Sequence, residues 1–349
     1  QELAPDFAQP NEPYWDYLDS LLDDAEARGI CVLLFPAYVG YDGGEQGWMQ
    51  EMVANGVERM RNYGAWIAQR YQHRGNLIWM LGGDYSNFKD DEQAVEAALI
   101  AGLKSVPDQT SRFYSAEWHS DSYGSDHPTF GDEVNLNGVY SWENSIAKYA
   151  RAAYATEPAR PAFLLEEPYD EEGPDGSNYN PNATQPVRRF IYWGWLNTIG
   201  GYVAGNGYVW RFQPGWESHL HTQGARDLAV LNALTETIDW WRLIPGGQAN
   251  MPKLIVDGGG LPDQPDYIAA AATRAGDLLL AYVSPGHAKQ FTVNLSKLKP
   301  HLQATWWDPS SGASTTIGDI QNEQTATFTP PARNTAGDTD WLLRLEAVR

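Results

Sequence analysis

The sequence predicts an α/β protein: a (β/α)8 TIM-type barrel whose first strands are missing from this chain, followed by a small antiparallel β-sandwich. Up to residue 245, apolar runs without alternation are separated by segments with helical spacing. Such runs are typical of parallel strands that are buried on both faces. From residue 263 onward helical spacing stops, and short apolar runs follow one another with turns between them.

Six segments repeat apolar residues at spacings of three and four, which predicts amphipathic helices. In the first of them Trp15, Leu18 and Leu22 recur in this way, and Gly29 is the expected stop. The predicted helices cover residues 14–28, 49–72, 92–104, 143–155, 186–199 and 223–241.

Six apolar segments between these helices predict strands, whereas a closed barrel of this type has eight. The chain also opens on a helix, so the pattern is that of a barrel without strand 1, helix 1 and strand 2. An open parallel sheet would expose two edges and apolar surface to water. We therefore expect a preceding segment to complete the barrel. The predicted strands begin near residues 30, 77, 112, 134, 161 and 200.

The chain beyond the Gly- and Pro-rich stretch 246–262 predicts a β-sandwich of about 90 residues, because its short strands are separated by turns. The predicted domains are therefore a catalytic barrel, 1–246, and a β-sandwich, 247–349. The strands that predict the sandwich cover residues 267–273, 277–284, 291–296, 303–309 and 341–347.

Charge and hydropathy exclude several classes of partner. The chain has 349 residues and a net charge of −21, whereas a nucleic-acid partner would require clustered Lys and Arg. No apolar run approaches the roughly 20 residues of a membrane span, so we expect no membrane insertion. The N-terminus has neither a basic start nor an apolar core, so no signal peptide is expected. We expect a monomer.

The residues that usually hold metals and cofactors do not occur in the required spacings. Cys31 is the one cysteine, and its place in an apolar run predicts a buried small hydrophobe. The seven His residues are scattered, so no zinc spacing is present. The sequence also contains no phosphate loop and no dinucleotide fingerprint. We therefore expect no metal and no cofactor.

Two predicted strands end in carboxylates. Asp84 follows the run 77–81 through Gly82 and Gly83, and the pair Glu166-Glu167 ends the strand that begins near residue 161. In a parallel barrel the active site lies at the carboxyl ends of the strands. Two such acids, about 5–5.5 Å apart, are what a retaining glycosidase needs. The alternative for a single acid of this kind is a helix cap or a turn.

The stretches "PNEPYWDYLD" (10–19), "RYQHRGNLIWMLGGD" (70–84) and "PAFLLEEPYD" (161–170) resemble the apiosidase-like glycosidases, glycoside hydrolase family 140, which have a clan A type barrel. "YVWRF" (208–212) and "WWDPSSG" (306–312) resemble the family as well. The resemblance implies β-apiosidase activity on the side chains of pectin, a plant cell-wall polysaccharide. It also implies a secreted or periplasmic protein that binds an oligo- or polysaccharide.

The resemblance implies that Asp84 is the general acid/base and that Glu167, directly before Pro168, is the nucleophile. Glu166 is the runner-up, because strand alternation sends Glu166 and Glu167 to opposite faces and periodicity alone does not choose between them. The chain departs from the family after the sixth strand of the barrel, where it has "YSWEN" (140–144) in place of a Gln-Ser-Gly-His type element.

Several residues near the strand ends are candidates for substrate binding. Aromatic rings would stack on sugars, and polar side chains would bond hydroxyls. The alternative for each aromatic ring is core packing. His119 matches a His of the family, and its alternative is a surface or turn histidine. The long acidic loop 168–186 is a candidate lid or cation site, or a solvated loop. The candidates for substrate binding are Tyr38, Tyr85, Asn87, Trp118, His119, Trp142, Tyr169 and Trp210.

The alternatives to an apiosidase are a clan A glycosidase of another specificity and a non-catalytic carbohydrate-binding protein on a degenerate barrel. Both glycosidase hypotheses require Asp84 and Glu167 for turnover. The binding-protein hypothesis predicts that sugars bind and are not hydrolysed.

Overall fold

A computed structural model describes residues 6–109, 112–172, 187–287 and 289–348. These residues form two compact units, one up to Gly138 and one from Val139 onward. Each unit contains its own hydrophobic core. The domain boundary predicted at residue 246 lies inside the second unit and stays a prediction.

The helices agree closely with the predicted ones. Helix α2 is interrupted at Gly56, whose backbone is not helical (φ 77°, ψ 172°), although the spacing predicted a continuous helix. The segment predicted as one helix over 223–241 ends at Thr235, and a short 3-10 turn follows at Trp240–Arg242. The α-helices of the described residues are α1 (Glu12–Ala27), α2 (Met49–Arg70), α3 (Asp90–Lys104), α4 (Ile146–Tyr154), α5 (Arg188–Thr198) and α6 (Gln223–Thr235).

Five of the six strands predicted before residue 246 are present, and the sixth is reduced to a parallel bridge between Leu164 and Tyr202. Strands β1, β2 and β3 pair in parallel in that order. The strands of this part are β1 (Val32–Leu34), β2 (Leu77–Gly82), β3 (Tyr114–Glu117), β4 (Ser122–Tyr123), β5 (Asn137–Tyr140) and β6 (Ala162–Glu166).

Helices α2 and α3 share a hydrophobic core with strands β1, β2 and β3 and approach each other closely at two glycines. A Cβ on Gly64 would lie 2.3 Å from the carbonyl oxygen of Leu99, and one on Gly102 would lie 2.1 Å from that of Arg61. Only glycine therefore allows this helix contact. The prediction that Cys31 is buried was wrong: its side chain is exposed, because it precedes the short, half-buried strand β1.

The last third of the chain consists of two antiparallel sheets that share one core, as the sequence predicted. The sheet orders are β13-β12-β15-β10-β9-β7 and β14-β11-β8. Sequence reasoning missed β7, β8, β13 and β14. Strand β13 was missed because it is largely exposed and rich in polar residues. The strands are β7 (Leu243–Pro245), β8 (Ile255–Asp257), β9 (Ile268–Thr273), β10 (Leu278–Val283), β11 (Phe291–Asn294), β12 (His301–Trp307), β13 (Ser314–Gln321), β14 (Thr325–Phe328) and β15 (Trp341–Ala347).

Within the second unit, helix α5 is buried along its whole length and is fixed to the β-rich part by a buried ion cluster. The Arg188 guanidinium donates to the carboxylates of Asp227 and Asp340, with separations of 2.7 Å to each. One turn further on, the Tyr192 ring stacks on Tyr282 at 4.5 Å. A buried cation needs such partners, because an unpaired one would be costly.

Two classes of feature are absent from the described part of the chain. None of its helices is both long enough and apolar enough to cross a membrane. Within the same residues, His, Cys, Asp and Glu form no group of three or more that fits a metal ion.

Candidate active site

Asp84 stands on a turn that only a Gly-Gly sequence can form. Gly82, Gly83 and Asp84 all have positive φ, at 72°, 133° and 54°. A Cβ on Gly82 would lie 2.6 Å from the Trp118 ring, and one on Gly83 would lie 2.4 Å from the Tyr38 ring. Aspartate is one of the few side chains that tolerate the left-handed region. The two glycines therefore bring the chain past two aromatic rings and turn Asp84 away from the strand.

Backbone hydrogen bonds to two neighbouring segments hold this turn. The N–H of Gly83 donates to the carbonyl of Glu117 at 2.8 Å, at the end of β3. The N–H of Asp42 donates to the carbonyl of Asp84 at 3.3 Å. The side chain of Asp84 is half-buried, and helix α3 is capped by Lys89, so Asp84 is no helix cap. The turn thus fixes Asp84 without giving it a capping role.

A buried acid, Glu96 of helix α3, holds the turn from behind. Its Oε1 accepts the N–H of Gly82 at 3.2 Å, and only 1% of the residue is exposed. Its Oε2 has no hydrogen-bond partner among the described residues. Burial raises its pKa to about 7, and the bond from Gly82 only partly opposes this. Sequence reasoning missed Glu96, although an acid at helical spacing between Val95 and Leu99 of a buried face is a signal.

Glu96→Gln is expected to make stability less dependent on pH. The folded pKa of Glu96 lies above its unfolded value of 4.5, so its contribution to stability is complete below pH 4.5 and is lost as pH rises through about 7. Glutamine has no such loss. The stability of the variant relative to the natural chain should therefore rise by up to about 3 kcal/mol between pH 4.5 and 8.

Urea unfolding at several pH values measures this difference, with Glu58→Gln, a change at an exposed glutamate of α2, as the matched control. A difference between Glu96→Gln and the natural chain that stays constant from pH 4.5 to 8 would contradict the account of Glu96.

The predicted binding residues near Asp84 differ in accessibility. Tyr38 is half-buried, and its ring lies beside Gly83. Asn87 is exposed. Tyr85 is buried, and its hydroxyl lies 2.7 Å from the carbonyl of Asn87 and 2.8 Å from Glu92 Oε2. Burial and then the Glu92 carboxylate raise the pKa of Tyr85 to about 12. In this structure Tyr85 therefore supports the loop, and its hydroxyl is engaged.

Trp118 and His119 follow β3. Trp118 is 1% exposed and packs against His127 and Phe130, with its indole N–H donating to the carbonyl of Gly124 at 2.7 Å. Such an enclosed ring offers no open face for stacking in this structure. His119 is half-buried, and its backbone N–H donates to the Ser86 hydroxyl at 3.1 Å.

His127, which sequence reasoning missed, fixes the loop after Asp84. Its Nδ1 accepts the backbone N–H groups of Thr129 and Phe130. The proton is therefore on Nε2, which donates to the carbonyl of Ser86 at 3.1 Å. Burial lowers the pKa of His127. A neutral imidazole of fixed tautomer thus holds Ser86, two residues after Asp84.

In the second unit, strand β6 ends in two glutamates with different environments. Glu166 is half-buried, and its Oε1 accepts the Tyr169 hydroxyl at 2.6 Å. Glu167 has no exposed surface, and neither of its carboxyl oxygens has a hydrogen-bond partner among the described residues. Burial, and then the nearby Glu166 and Glu172 carboxyls, raise the pKa of Glu167 well above its ordinary value.

A buried carboxyl without partners is costly to the fold, so it marks a candidate functional group. Tyr169 links Glu166 and Glu172, the two acids near Glu167. The Tyr169 hydroxyl donates to Glu166, and the Tyr169 backbone N–H donates to Glu172 Oε2 at 2.8 Å. Tyr169 also meets Trp210 edge to face, with ring centroids 6.5 Å apart.

Trp142, another predicted binding residue, is half-buried, and its ring centroid lies 6.4 Å from that of Tyr140.

The first residues of the acidic loop after β6 contact the segment that follows residue 205. Asp170 and Asn206 form a parallel bridge, and the Asn206 amide donates to Glu171 at 3.0 Å. His219 Nδ1 lies 2.7 Å from the same carboxylate. The hypotheses of a lid and of a cation site concern residues 168–186, of which 173–186 lie outside the described residues.

The structure therefore brings the predicted residues together in two groups, one in each unit. Tyr38 lies beside the turn that carries Asp84, and the loop after that turn carries Tyr85 and Asn87. Glu166, Tyr169 and Trp210 form a chain of contacts next to Glu167. The roles of these residues stay predictions.

Two family models match the chain. The model of the "Apiosidase-like, catalytic domain" matches residues 1–242. The model of the "Putative collagen-binding domain of a collagenase" matches residues 253–346. A search of the curated proteins found no match.

Two solved structures share the fold along nearly the whole chain. One is described as "Glycoside hydrolase"; its TM-score is 0.78 at 18% identity, over 99% of this chain and 81% of that one. The other is a glycoside hydrolase family 5 protein from Bacteroides vulgatus ATCC 8482. Its TM-score is 0.77 at 19% identity, over 99% of this chain and 78% of that one.

Proposed function

The chain belongs to the apiosidase-like family of glycosidase catalytic domains, and we propose from that membership that it cleaves its substrate with net retention at the anomeric carbon. Asp84 is proposed as the general acid/base and Glu167 as the nucleophile. The observation that carries the proposal is the buried carboxyl of Glu167, directly after strand β6, which has no hydrogen-bond partner in the described part of the chain.

The two carboxyls would act in two steps. In the first, Asp84 gives its proton to the glycosidic oxygen as that bond breaks, and a Glu167 oxygen forms a bond to the anomeric carbon. In the second, Asp84 takes a proton from water, whose oxygen attacks the same carbon and releases Glu167. Two inversions give net retention. The fixed turn at Gly82-Gly83 supports the role of Asp84, because proton transfer requires a positioned carboxyl.

We propose the pectic side chains of the plant cell wall as the substrate and β-linked apiose as the sugar released. Within the apiosidase-like proteins, we propose that the chain belongs to glycoside hydrolase family 140. We also propose that the protein acts outside the cytoplasm, where such polymers lie. NMR of the first product released from an aryl β-apioside tests the mechanism. The β-anomer is expected first, whereas the α-anomer would establish inversion, and binding without hydrolysis would favour a carbohydrate-binding protein.

Glu166→Gln is expected to shift the acidic limb of the kcat/KM profile to lower pH. As nucleophile, Glu167 must be ionised, so activity falls as pH drops through its raised pKa. Burial is the largest cause of that rise and Glu166 the next. Removing the charge of Glu166 therefore lowers the pKa of Glu167, while the glutamine oxygen still accepts the Tyr169 hydroxyl.

Measuring kcat/KM from pH 4 to 9 for both proteins decides between the roles. A shift of the alkaline limb would make Glu167 the acid instead. A complete loss of turnover in Glu166→Gln would make Glu166 the nucleophile.

A further inference from the structure

Three aromatic residues fall within residues 210–216 of the second unit, two of them exposed and the third, Trp216, half-buried. Trp210 is 52% exposed and Phe212 is 70% exposed. The Trp216 ring stands perpendicular to Phe212, with centroids 5.3 Å apart. Together these three residues are called the aromatic platform. Exposed apolar groups that occur together, unlike scattered single ones, point to a binding surface.

The segment that carries the aromatic platform is held by hydrogen bonds. Asn206 Oδ1 accepts the backbone N–H groups of Tyr208 and Val209, both at 2.9 Å. The N–H of Phe212 donates to the carbonyl of Val209 at 2.8 Å. The N–H of Trp216 donates to the carbonyl of Gln213 at 2.9 Å. The rings are therefore presented by a defined turn, which reduces the ordering that binding would require.

Phe212 is held in a backbone conformation that its side chain disfavours. Its φ is 48°, in the left-handed region where glycine and asparagine are common and bulky residues are outliers. Burial does not compensate, because most of the ring is in water. Backbone strain of this kind costs stability and is concentrated at ligand-binding positions and other functional sites.

The aromatic platform is continuous with the end of strand β6. Trp210 meets Tyr169 edge to face, and the Tyr169 hydroxyl donates to Glu166. The backbone of Asp170 pairs with that of Gly205 and Gly207, at 3.0 and 2.8 Å. A chain bound at the carboxyls of β6 can therefore continue onto the Trp210 ring, and Phe212 and Trp216 follow within the same segment. The C–H faces of sugars match such a surface, since aromatic side chains combine large apolar area with little conformational entropy.

We propose that Trp210, Phe212 and Trp216 form a stacking subsite for the sugar rings of a polysaccharide, beyond the residue whose bond is cleaved. This inference rests on the proposed function for the position of the cleaved bond. It commits the substrate to a polymer or a long oligosaccharide, because a single sugar bound at β6 would leave the aromatic platform uncovered.

Phe212→Gly tests the inference, because it removes the ring and relieves the strain together. Its urea midpoint should rise above that of the natural chain, while its affinity for soluble pectin in native gels should fall about tenfold. Trp216→Ala should weaken pectin binding as well. Trp241→Ala is the matched control, since Trp241 is 63% exposed in the same unit and lies outside the aromatic platform; its pectin affinity should equal that of the natural chain.

Failure of this inference differs from failure of the proposed function. Unchanged pectin affinity in Phe212→Gly and Trp216→Ala would overturn the subsite even if aryl glycosides are hydrolysed. A natural chain that does not bind pectin would overturn it too. Pectin binding that falls in both variants, in a protein that hydrolyses no glycoside, would support the subsite and refute the hydrolase mechanism.

Discussion

Glu167→Ala is expected to lower kcat by at least about 10⁴-fold, because without a nucleophile the covalent route is closed. The side chain is fully buried and unpartnered among the described residues, so its removal takes a hydrogen-bond partner from none of those residues. The protein should therefore fold at least as stably as before, and the loss of turnover would reflect chemistry. Steady-state kinetics on an aryl glycoside, together with urea unfolding, measure both.

Sodium azide distinguishes the nucleophile from a residue that only supports the site. In Glu167→Ala, azide can enter the space of the missing carboxylate, attack the anomeric carbon once and release a glycosyl azide of inverted configuration. Glu172→Ala is the matched control, since Glu172 is a buried acid near Glu167, and it should give no such product. An inverted glycosyl azide from Glu166→Ala, and none from Glu167→Ala, would exchange the two assignments.

Asp84→Asn is expected to lower kcat/KM by about 10²–10⁴-fold on substrates with poor leaving groups, because proton donation to the glycosidic oxygen is lost. Asparagine tolerates the left-handed backbone of this position, so the turn should persist. Dinitrophenyl glycosides need no proton, so their first step should be nearly unaffected. A series of aryl glycosides that differ in leaving-group pKa measures the effect.

The matched control for Asp84→Asn is Asp121→Asn. Asp121 is an exposed aspartate in the same unit with a similar backbone, φ 62°. Its substitution should leave every substrate of the series unchanged. If Asp84→Asn loses the same factor on all leaving groups, Asp84 supports the site without transferring the proton.

The β/α alternation could be predicted because buried parallel strands and amphipathic helices leave different periodicities in the sequence. The predictions of β1, β2, β3, β5, β6 and the six helices depend on this signal. Strand β13 could not be predicted in the same way, since its exposed Ser and Thr residues carry no apolar pattern. The prediction that Cys31 is buried was wrong for another reason: an apolar run does not reveal how much of it the neighbouring elements cover.

The position of Asp84 followed from the Gly-Gly sequence before it, because an abrupt end to an apolar run is visible in sequence. The contact of Glu96 with this turn could not be predicted from the sequence. Glu96 reaches Gly82 only through the packing of α3 against the strand, and its raised pKa comes from burial. The strain at Phe212 likewise depends on a backbone angle that the sequence does not specify.

Trapping the covalent intermediate tests the central claim most directly. In Asp84→Ala, a dinitrophenyl glycoside should form the glycosyl-enzyme quickly, and hydrolysis without the base should be slow, so the intermediate accumulates. Mass spectrometry of the peptides from the stopped reaction should find the sugar on Glu167. A sugar on Glu166, or no adduct and a product of inverted configuration, would contradict the account.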